Sequence, residues 1–195
     1  MTQKQGLRPP RALTPSEELY PETVSIVDGH YFHEERAGAY LIVEGDEAAY
    51  VDNITRFSVP HLLDGLRARG LQPEQLRYII VTHIHLDHSG GTAELAKHCP
   101  NAMVLCHPRA AKHIIDPERL VKSAKLVYGE QEFLALYGEI DPVDEKRVRI
   151  VEDNEVIELG SRKLTFMDSP GHARHHHAIH DSRTNSVFAG DVFGT

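Results

Sequence analysis

The sequence predicts an α/β fold, because short apolar strands alternate with amphipathic helices along much of its 195 residues. Two strand-like runs, at 76–82 and 102–107, each follow a helix-like segment, at 58–70 and 91–99. A hairpin over 39–53 precedes this alternation, and several short strand candidates come after it. This rhythm is typical of a sheet that is covered by helices.

The N-terminal part is predicted to contain an arm, a strand and a hairpin. Residues 1–23 are rich in Pro, Arg and Ser and have no apolar core of a secretory signal, so we expect a flexible arm before a domain at 24–195. The run TVSIVDG at 23–29 reads as the first strand. The hairpin at 39–53 turns around Gly45.

The central elements have clear start and stop signals. In the helix at 58–70, Ser58 is the expected N-cap and Gly70 the stop, with apolar residues at helical spacing between them. The run at 76–82 is apolar throughout, which predicts a strand covered on both faces. The stretch at 116–138 is the longest predicted helix. Its apolar residues are expected to pack in the core, or else to line a substrate channel: Leu120, Leu126, Val127 and Phe133. The remaining strand candidates are 147–151, 155–159, 162–168, 176–181 and 186–191.

Composition limits the classes of function. The formal charge is 21 − 29 = −8, which disfavours a nucleic-acid partner because phosphate binding needs a concentrated basic face. No apolar run reaches the roughly 20 residues of a membrane-spanning helix, so a cytoplasmic protein is expected. Cys99 and Cys106 lack the paired spacing of a structural zinc site and are predicted to be buried thiols.

Histidine is unusually frequent, with fourteen in the chain, and the stretch THIHLDHSGG at 82–91 concentrates several of them after a strand. In an extended segment, His83, His85 and Asp87 would project to one side, while His88 would project differently as the chain turns. Two imidazoles and a third nitrogen ligand make an open tetrahedral zinc site. The carboxylate and the remaining histidine suit a second divalent cation roughly 3.5–4 Å away.

This stretch resembles the HxHxDH signature of the metallo-β-lactamase superfamily, and the resemblance runs from about residue 24 to the C-terminus. The hairpin ends in Asp52, which in the family supports the metal loop. The segment DSPGHARHH resembles the one that carries a further histidine ligand, here His172, and VFAGDVFG resembles the one that carries the bridging aspartate, here Asp191. The resemblance implies an αββα sandwich and an uncharacterised bacterial-type hydrolase subfamily.

Carried over residue by residue, the resemblance implies two metal positions. His83, His85 and His172 would hold the first, Asp87 and His88 would serve the second, and Asp191 would lie between them. His176 occupies the place of a second histidine that often packs near this site. The neighbouring His175, His177 and His180 are expected to be half-exposed strand residues.

One departure from the family concerns the second metal position. Family members normally supply another histidine to it from near the end of the second half of the fold, and this sequence stops before any such residue. We therefore expect either that the 195 residues are part of a longer protein whose second half is incomplete here, which we favour, or that the second metal is weakly held.

The function that follows is a metal-dependent hydrolase, in which a metal-bound hydroxide attacks a small thioester, lactone, ester or amide. Asp87 would accept or hold the proton of the nucleophile. One or two zinc ions are expected, with iron or manganese as alternatives, and the partner would be a small-molecule substrate. A homodimer is left open.

Four alternative functions remain open. The first is a mononuclear iron persulfide dioxygenase, which metal analysis would distinguish from a hydrolase. A nucleic-acid-cleaving enzyme is disfavoured by the charge, and a flavodiiron-type oxygen reductase by His85, where that group usually has glutamate. A non-catalytic metal-binding module is the fourth.

Overall fold

A computed structural model describes residues 18–20 and 23–193 of the chain. The strands form two sheets, and the α-helices precede the last strand of the first sheet. The first sheet contains Glu18–Tyr20 (β1), Val24–Asp28 (β2), Gly38–Glu44 (β3), Glu47–Val51 (β4), Leu76–Val81 (β5), Met103–Cys106 (β6) and Val148–Ile150 (β7). The second contains Val156–Leu159 (β8), Arg162–Asp168 (β9), His177–Asp181 (β10) and Ser186–Phe188 (β11). The α-helices are Val59–Ala68 (α1), Leu86–Ser89 (α2), Thr92–His98 (α3), Pro108–Ile115 (α4), Glu118–Tyr128 (α5) and Glu130–Tyr137 (α6).

The first sheet has seven strands in chain order, antiparallel from β1 to β4 and parallel from β4 to β7. The second sheet has four antiparallel strands in the order β11-β10-β9-β8. Because β4, β5 and β6 are parallel, their carboxyl ends lie at the same edge of the sheet, where α/β proteins commonly place functional groups. The histidine-rich stretch follows β5 at this edge.

Two apolar layers form the core, one on each face of the seven-stranded sheet. On β5, Ile79 packs towards the helices, and Ile80 packs between the two sheets. This alternation follows from the two-residue period of a strand. It confirms the α/β fold class and the expectation that β5 is covered on both faces.

The second sheet has one buried face and one exposed face. Ile157 and Phe188 point into the layer between the sheets, whereas Val156 and Val187 on the other face are 47% and 49% exposed. In the described part of the chain every α-helix precedes β7, so the helices seen there belong to the first half of the predicted αββα sandwich.

The N-terminal arm was predicted for residues 1–23. Within it, Glu18–Tyr20 forms β1, which pairs antiparallel with Val24 and Ser25 of β2. Residues 1–17 and 21–22 lie outside the described residues, and so does that part of the prediction.

The helix predicted at 116–138 is two helices, because Gly129 adopts a positive φ of 80° that no helical residue has. Its apolar residues were expected to pack in the core, and this is correct only for some. Phe133 is buried and Leu120 packs against the core, but Leu126 and Val127 are 81% and 78% exposed.

Helix α4 was not predicted. It begins at Pro108, a residue that suits the first helical position, and His107 caps it by accepting a hydrogen bond from the backbone N–H of Arg109. Both cysteines are buried, as predicted. Within the described residues, no helix is long and apolar enough to cross a membrane.

Candidate metal centre

The loop after β5 carries four of the predicted ligands. His83 lies in irregular backbone and is fully buried, whereas His85, the exposed residue before α2, is the N-cap of that helix. Asp87 and His88 lie within α2. Because helical backbone begins at Leu86, the extended alternation that was considered for this stretch does not continue to Asp87.

The first group of candidate ligands consists of His83, His85 and His172, each of which offers one ring nitrogen, and these three atoms all lie within 4.8 Å of one another. The Nε2 atom of His172 is 2.9 Å from Nδ1 of His85. The Nε2 atom of His83 is buried and has no hydrogen-bond partner among the described residues. A buried polar atom of this kind needs a partner, and three converging imidazoles are a donor set that fits a zinc ion with one open position.

Asp191 lies between this group and His88. Its Oδ2 atom is 3.4 Å from Nε2 of His172 and 3.9 Å from Nε2 of His83, while its Oδ1 atom is 3.3 Å from Nε2 of His88. His83, His88 and Asp191 form a second group of atoms within 4.8 Å. The two oxygens of this carboxylate therefore face different imidazoles, Oδ2 those of His83 and His172 and Oδ1 that of His88, as a ligand shared by two cations would have to do.

Asp87 lies beside the second group and not within it. Its Oδ2 atom is 3.9 Å from Nε2 of His88, and its side chain is 44% exposed. Five of the six predicted ligands thus converge in the two groups, and the sixth stands at their solvent side.

Behind the candidate ligands, Asp52 is the shared hydrogen-bond acceptor. His88 Nδ1 lies 2.8 Å from Asp52 Oδ2, and the Thr82 hydroxyl lies 2.9 and 3.0 Å from the two carboxylate oxygens. Because this hydroxyl donates its own hydrogen to Asp52, its oxygen can accept a hydrogen bond from Nδ1–H of His83, which is 3.1 Å away. Both histidines then present Nε2 to the centre.

Thr82 was missed in the sequence. Its position could have indicated a role in orienting the ligands, since it is a hydroxyl residue between an apolar strand and the first histidine. The role of Asp52 beside the loop was expected from the resemblance, and the structure places it there.

Burial and charge set the protonation of the cluster. Burial, followed by the neighbouring His88, lowers the pKa of His83, and burial followed by His172 lowers the pKa of His85. Burial also acts to lower the pKa of His88, but the Asp52 carboxylate outweighs it and raises that pKa to about 9. His83 and His85 are therefore neutral at physiological pH, as cation ligands must be.

The histidines after His172 differ in their environment. His176 is fully buried and its ring lies 4.9 Å from that of His83. The prediction that His177 is half-exposed is wrong: it is 2% exposed, because its backbone N–H binds Thr82 O and its Nε2 binds Val81 O at 2.8 Å. His175 and His180 are partly exposed, as expected, but His175 lies in the turn before β10 and not in a strand.

An apolar wall lies beside α2. Leu86 packs in a buried cluster with Phe133, Leu136 and Tyr137 of α6, and Tyr31 packs against it from the loop between β2 and β3. The hydroxyl groups of Tyr31 and Tyr137 are 3.3 Å apart. Phe133 was expected in the core or along a substrate channel, but its contact with Leu86 and Tyr31 was not predicted, because the three residues are remote in the sequence.

The profile of the Metallo-beta-lactamase superfamily matches residues 38–195 of the chain. The chain is 34% identical over 125 residues to the metallo-beta-lactamase fold-containing protein ST1585 of Sulfurisphaera tokodaii, a match that covers 62% of this chain and 46% of that protein. The crystal structure of ST1585, an archaeal protein of that superfamily, superposes with a TM-score of 0.64 at 26% identity, covering 82% of this chain and 60% of the other.

Two further relatives have named activities. The acyl-coenzyme A thioesterase MBLAC2 of Gallus gallus is 30% identical over 170 residues, which cover 80% of this chain and 57% of that protein. A nitric oxide reductase of Moorella thermoacetica is 30% identical over 132 residues, which cover 68% of this chain and 27% of that protein. The chain thus spans about half the length of ST1585 and MBLAC2.

Proposed function

Because the chain belongs to the metallo-β-lactamase superfamily, we propose that it is a metal-dependent hydrolase that cleaves a thioester at the histidine cluster around Asp191. The observation that carries this proposal is the position of the Asp191 carboxylate, whose Oδ2 atom faces His83 and His172 and whose Oδ1 atom faces His88. The proposed ligands are His83, His85 and His172 at one position, and His88 with Asp191, beside Asp87, at the other.

Zinc suits these ligands best, because it accepts imidazole nitrogen and carboxylate oxygen together, and iron or manganese are the alternatives. When bound, such a cation lowers the pKa of a coordinated water to about 7 and polarises a substrate carbonyl. Asp87 is half-exposed beside His88, where its carboxylate can accept a proton from water. Asp52 holds the ring of His88 so that Nε2 faces the centre.

Two features support a thioester substrate. MBLAC2 is named as an acyl-coenzyme A thioesterase, and its match covers 80% of this chain. In addition, partly buried apolar residues border the apolar wall beside α2, and their accessible surface suits the hydrocarbon part of an acyl group: Tyr31, Val121 and Ile140. Lactones, esters and amides share the carbonyl chemistry and are the next substrates to examine.

The test is thiol release from acyl-coenzyme A substrates of increasing chain length by the zinc-loaded protein. We expect hydrolysis that is lost on chelation, returns with added zinc, and is absent in His83→Ala. His180→Ala is the matched control, because His180 lies in β10 and its ring contacts Asn185 instead of the cluster. If the zinc-loaded chain leaves thioesters, lactones, esters and amides intact, the proposal is wrong.

A mononuclear iron dioxygenase that acts on a persulfide is the second candidate. It is favoured by the three-imidazole group, which is complete without Asp87, and by the nitric oxide reductase among the relatives, which is a redox enzyme. One iron per chain and oxygen consumption with a persulfide, without thioester cleavage, would identify it. Metal binding with neither activity would instead indicate a non-catalytic module.

A further inference from the structure

His176 lies where β10, the metal loop and Asp191 meet. Its side chain is fully buried, with its ring 4.9 Å from that of His83 and 6.4 Å from that of His172. Its Nε2 atom accepts a hydrogen bond of 3.1 Å from the backbone N–H of Asp191. An imidazole that accepts at Nε2 carries its proton at Nδ1, so His176 is held as one neutral tautomer.

The backbone before Asp191 fits closely against this ring. Gly190 has a φ of 51°, and a Cβ atom there would lie 2.6 Å from His176 Nε2 and 2.9 Å from Thr82 Oγ1. Only glycine allows the chain to pass between these two side chains. The backbone at Gly190 thus lies between the ring of His176 and the side chain of Thr82, which contacts His83. This close passage brings the Asp191 N–H against His176.

Asp191 depends on this contact, because it lies beyond the regular part of the second sheet. Strand β11 ends at Phe188, so Asp191 is outside the ladder that fixes the backbone of β10 and β11. The hydrogen bond to His176 supplies an acceptor for a buried N–H that would otherwise lack one. It also limits the rotation of Asp191, whose carboxylate oxygens face His88 on one side and His172 on the other.

We propose that His176 is a positioning residue that fixes Asp191 between the two ligand groups, so that two cations are bound together. His176 does not itself serve as a ligand: its Nε2 is engaged by the Asp191 N–H, and it belongs to neither group of converging ligand atoms. The inference rests on the proposed function, since it concerns cations at the same centre.

The experiment compares His176→Gln with His176→Leu. The amide oxygen of glutamine can reach the Asp191 N–H as Nε2 does, whereas leucine has a similar volume and no acceptor. Zinc content is measured after dialysis, zinc affinity by competition with a chelator, and ligand geometry from the visible spectrum of the cobalt-substituted protein. We expect two ions in the wild type and in His176→Gln, and one in His176→Leu, with the second bound about 10–100-fold more weakly.

The cobalt spectrum of His176→Gln should match the wild type, and that of His176→Leu should change, which a loss of packing alone would not produce. If His176→Leu does not fold, as judged by circular dichroism, His176→Asn replaces it, because its shorter amide does not reach the same N–H. Two tightly held ions in whichever of His176→Leu and His176→Asn is measured would overturn the inference, and so would a wild type that holds a single ion. A wild type that binds no cation would instead contradict the proposed function.

Discussion

The ring of His88 and the carboxylate of Asp52 are joined by a contact of 2.8 Å between Nδ1 and Oδ2, across 36 positions of sequence. The same carboxylate accepts a hydrogen bond from the hydroxyl group of Thr82, whose oxygen also faces Nδ1 of His83. One acidic side chain therefore orients a candidate ligand in each of the two groups. This connection makes Asp52 the residue whose replacement should affect both cation positions at once.

Replacing Asp52 with asparagine should weaken zinc binding about 10–100-fold, the usual effect of losing a group that orients a metal ligand. Asparagine is the right substitution because Asp52 has a φ of 61°, a left-handed conformation that asparagine tolerates and alanine does not. Chelator competition measures the affinity. Wild-type affinity in this variant would show that the carboxylate does not orient the ligands.

Thr82→Val provides the matched comparison. It removes the hydroxyl between Asp52 and His83 but leaves the direct contact between Asp52 and His88. We expect it to weaken zinc binding less than Asp52→Asn does, because only one of the two oriented histidines is affected. An equal or larger loss would place the main orienting role on Thr82.

Removing either of two histidines that are far apart in the sequence should remove the metal. His83→Ala and His172→Ala each leave two imidazoles in the first group, so elemental analysis should show loss of that cation together with activity. The control variant His180→Ala should keep both the bound metal and the activity. Full metal content in either of the first two variants would contradict their assignment as ligands.

The sequence predicted those parts of the fold that depend on local pattern. The apolar run through Ile79 and Ile80 predicted a strand covered on both faces, and it is one. The break at Gly129 was missed because the apolar spacing continues across it. The burial of His177 was missed because it depends on a contact between β10 and the loop at Thr82.

The candidate site was predictable only in part from local spacing. The positions of His83 and His85 in one stretch indicated a metal site without any further knowledge. Alternation did not extend to Asp87, since a helix begins at Leu86. His172 and Asp191 could be connected to the stretch only through a family resemblance, because chain folding, and not spacing, brings them together.

The burial of His177 predicts a stability that falls in mild acid. Burial lowers the pKa of His177 from 6.5 to about 4, so between these values the unfolded chain binds a proton that the folded chain does not. The contribution of His177 to stability is therefore complete above the unfolded pKa of 6.5, and it is lost as the pH falls from there towards the folded pKa of about 4. From about pH 7.5 to about pH 5.5, this residue should cost about 1 kcal/mol of unfolding free energy.

His177→Gln isolates this contribution, because its amide can still donate to the carbonyl of Val81 but does not titrate. Urea unfolding with a chelator present removes the effect of bound metal. Over that pH interval, the free energy of unfolding should fall by about 1 kcal/mol less in the variant than in the wild type. Equal losses in both proteins would mean that His177 is not the group responsible.

A buried ion cluster should hold the two sheets together. The side chain of Arg162 in β9 is fully buried, with Nε 3.6 Å from Glu44 Oε2 of the first sheet and Nη1 3.5 Å from Asp181 Oδ2 of the second. Arg162→Met keeps much of the side-chain volume but leaves the buried carboxylate of Asp181 without its cation, while Glu44 keeps its ion pair with Arg183 at 2.7 Å. We expect a loss of about 3–5 kcal/mol in the free energy of unfolding, measured in urea at neutral pH.

Arg77→Met is the control for this prediction. Arg77 in β5 pairs with Glu47 at 3.2 Å, but both side chains are substantially exposed, at 49% and 34%. Water solvates these charges whether or not they are paired, so its loss should cost less than about 1 kcal/mol. If the two variants were destabilised equally, the Arg162 cluster would contribute no more than a surface ion pair. A large difference would show that burial of the unpaired Asp181 carboxylate, and not the loss of an arginine as such, determines the cost.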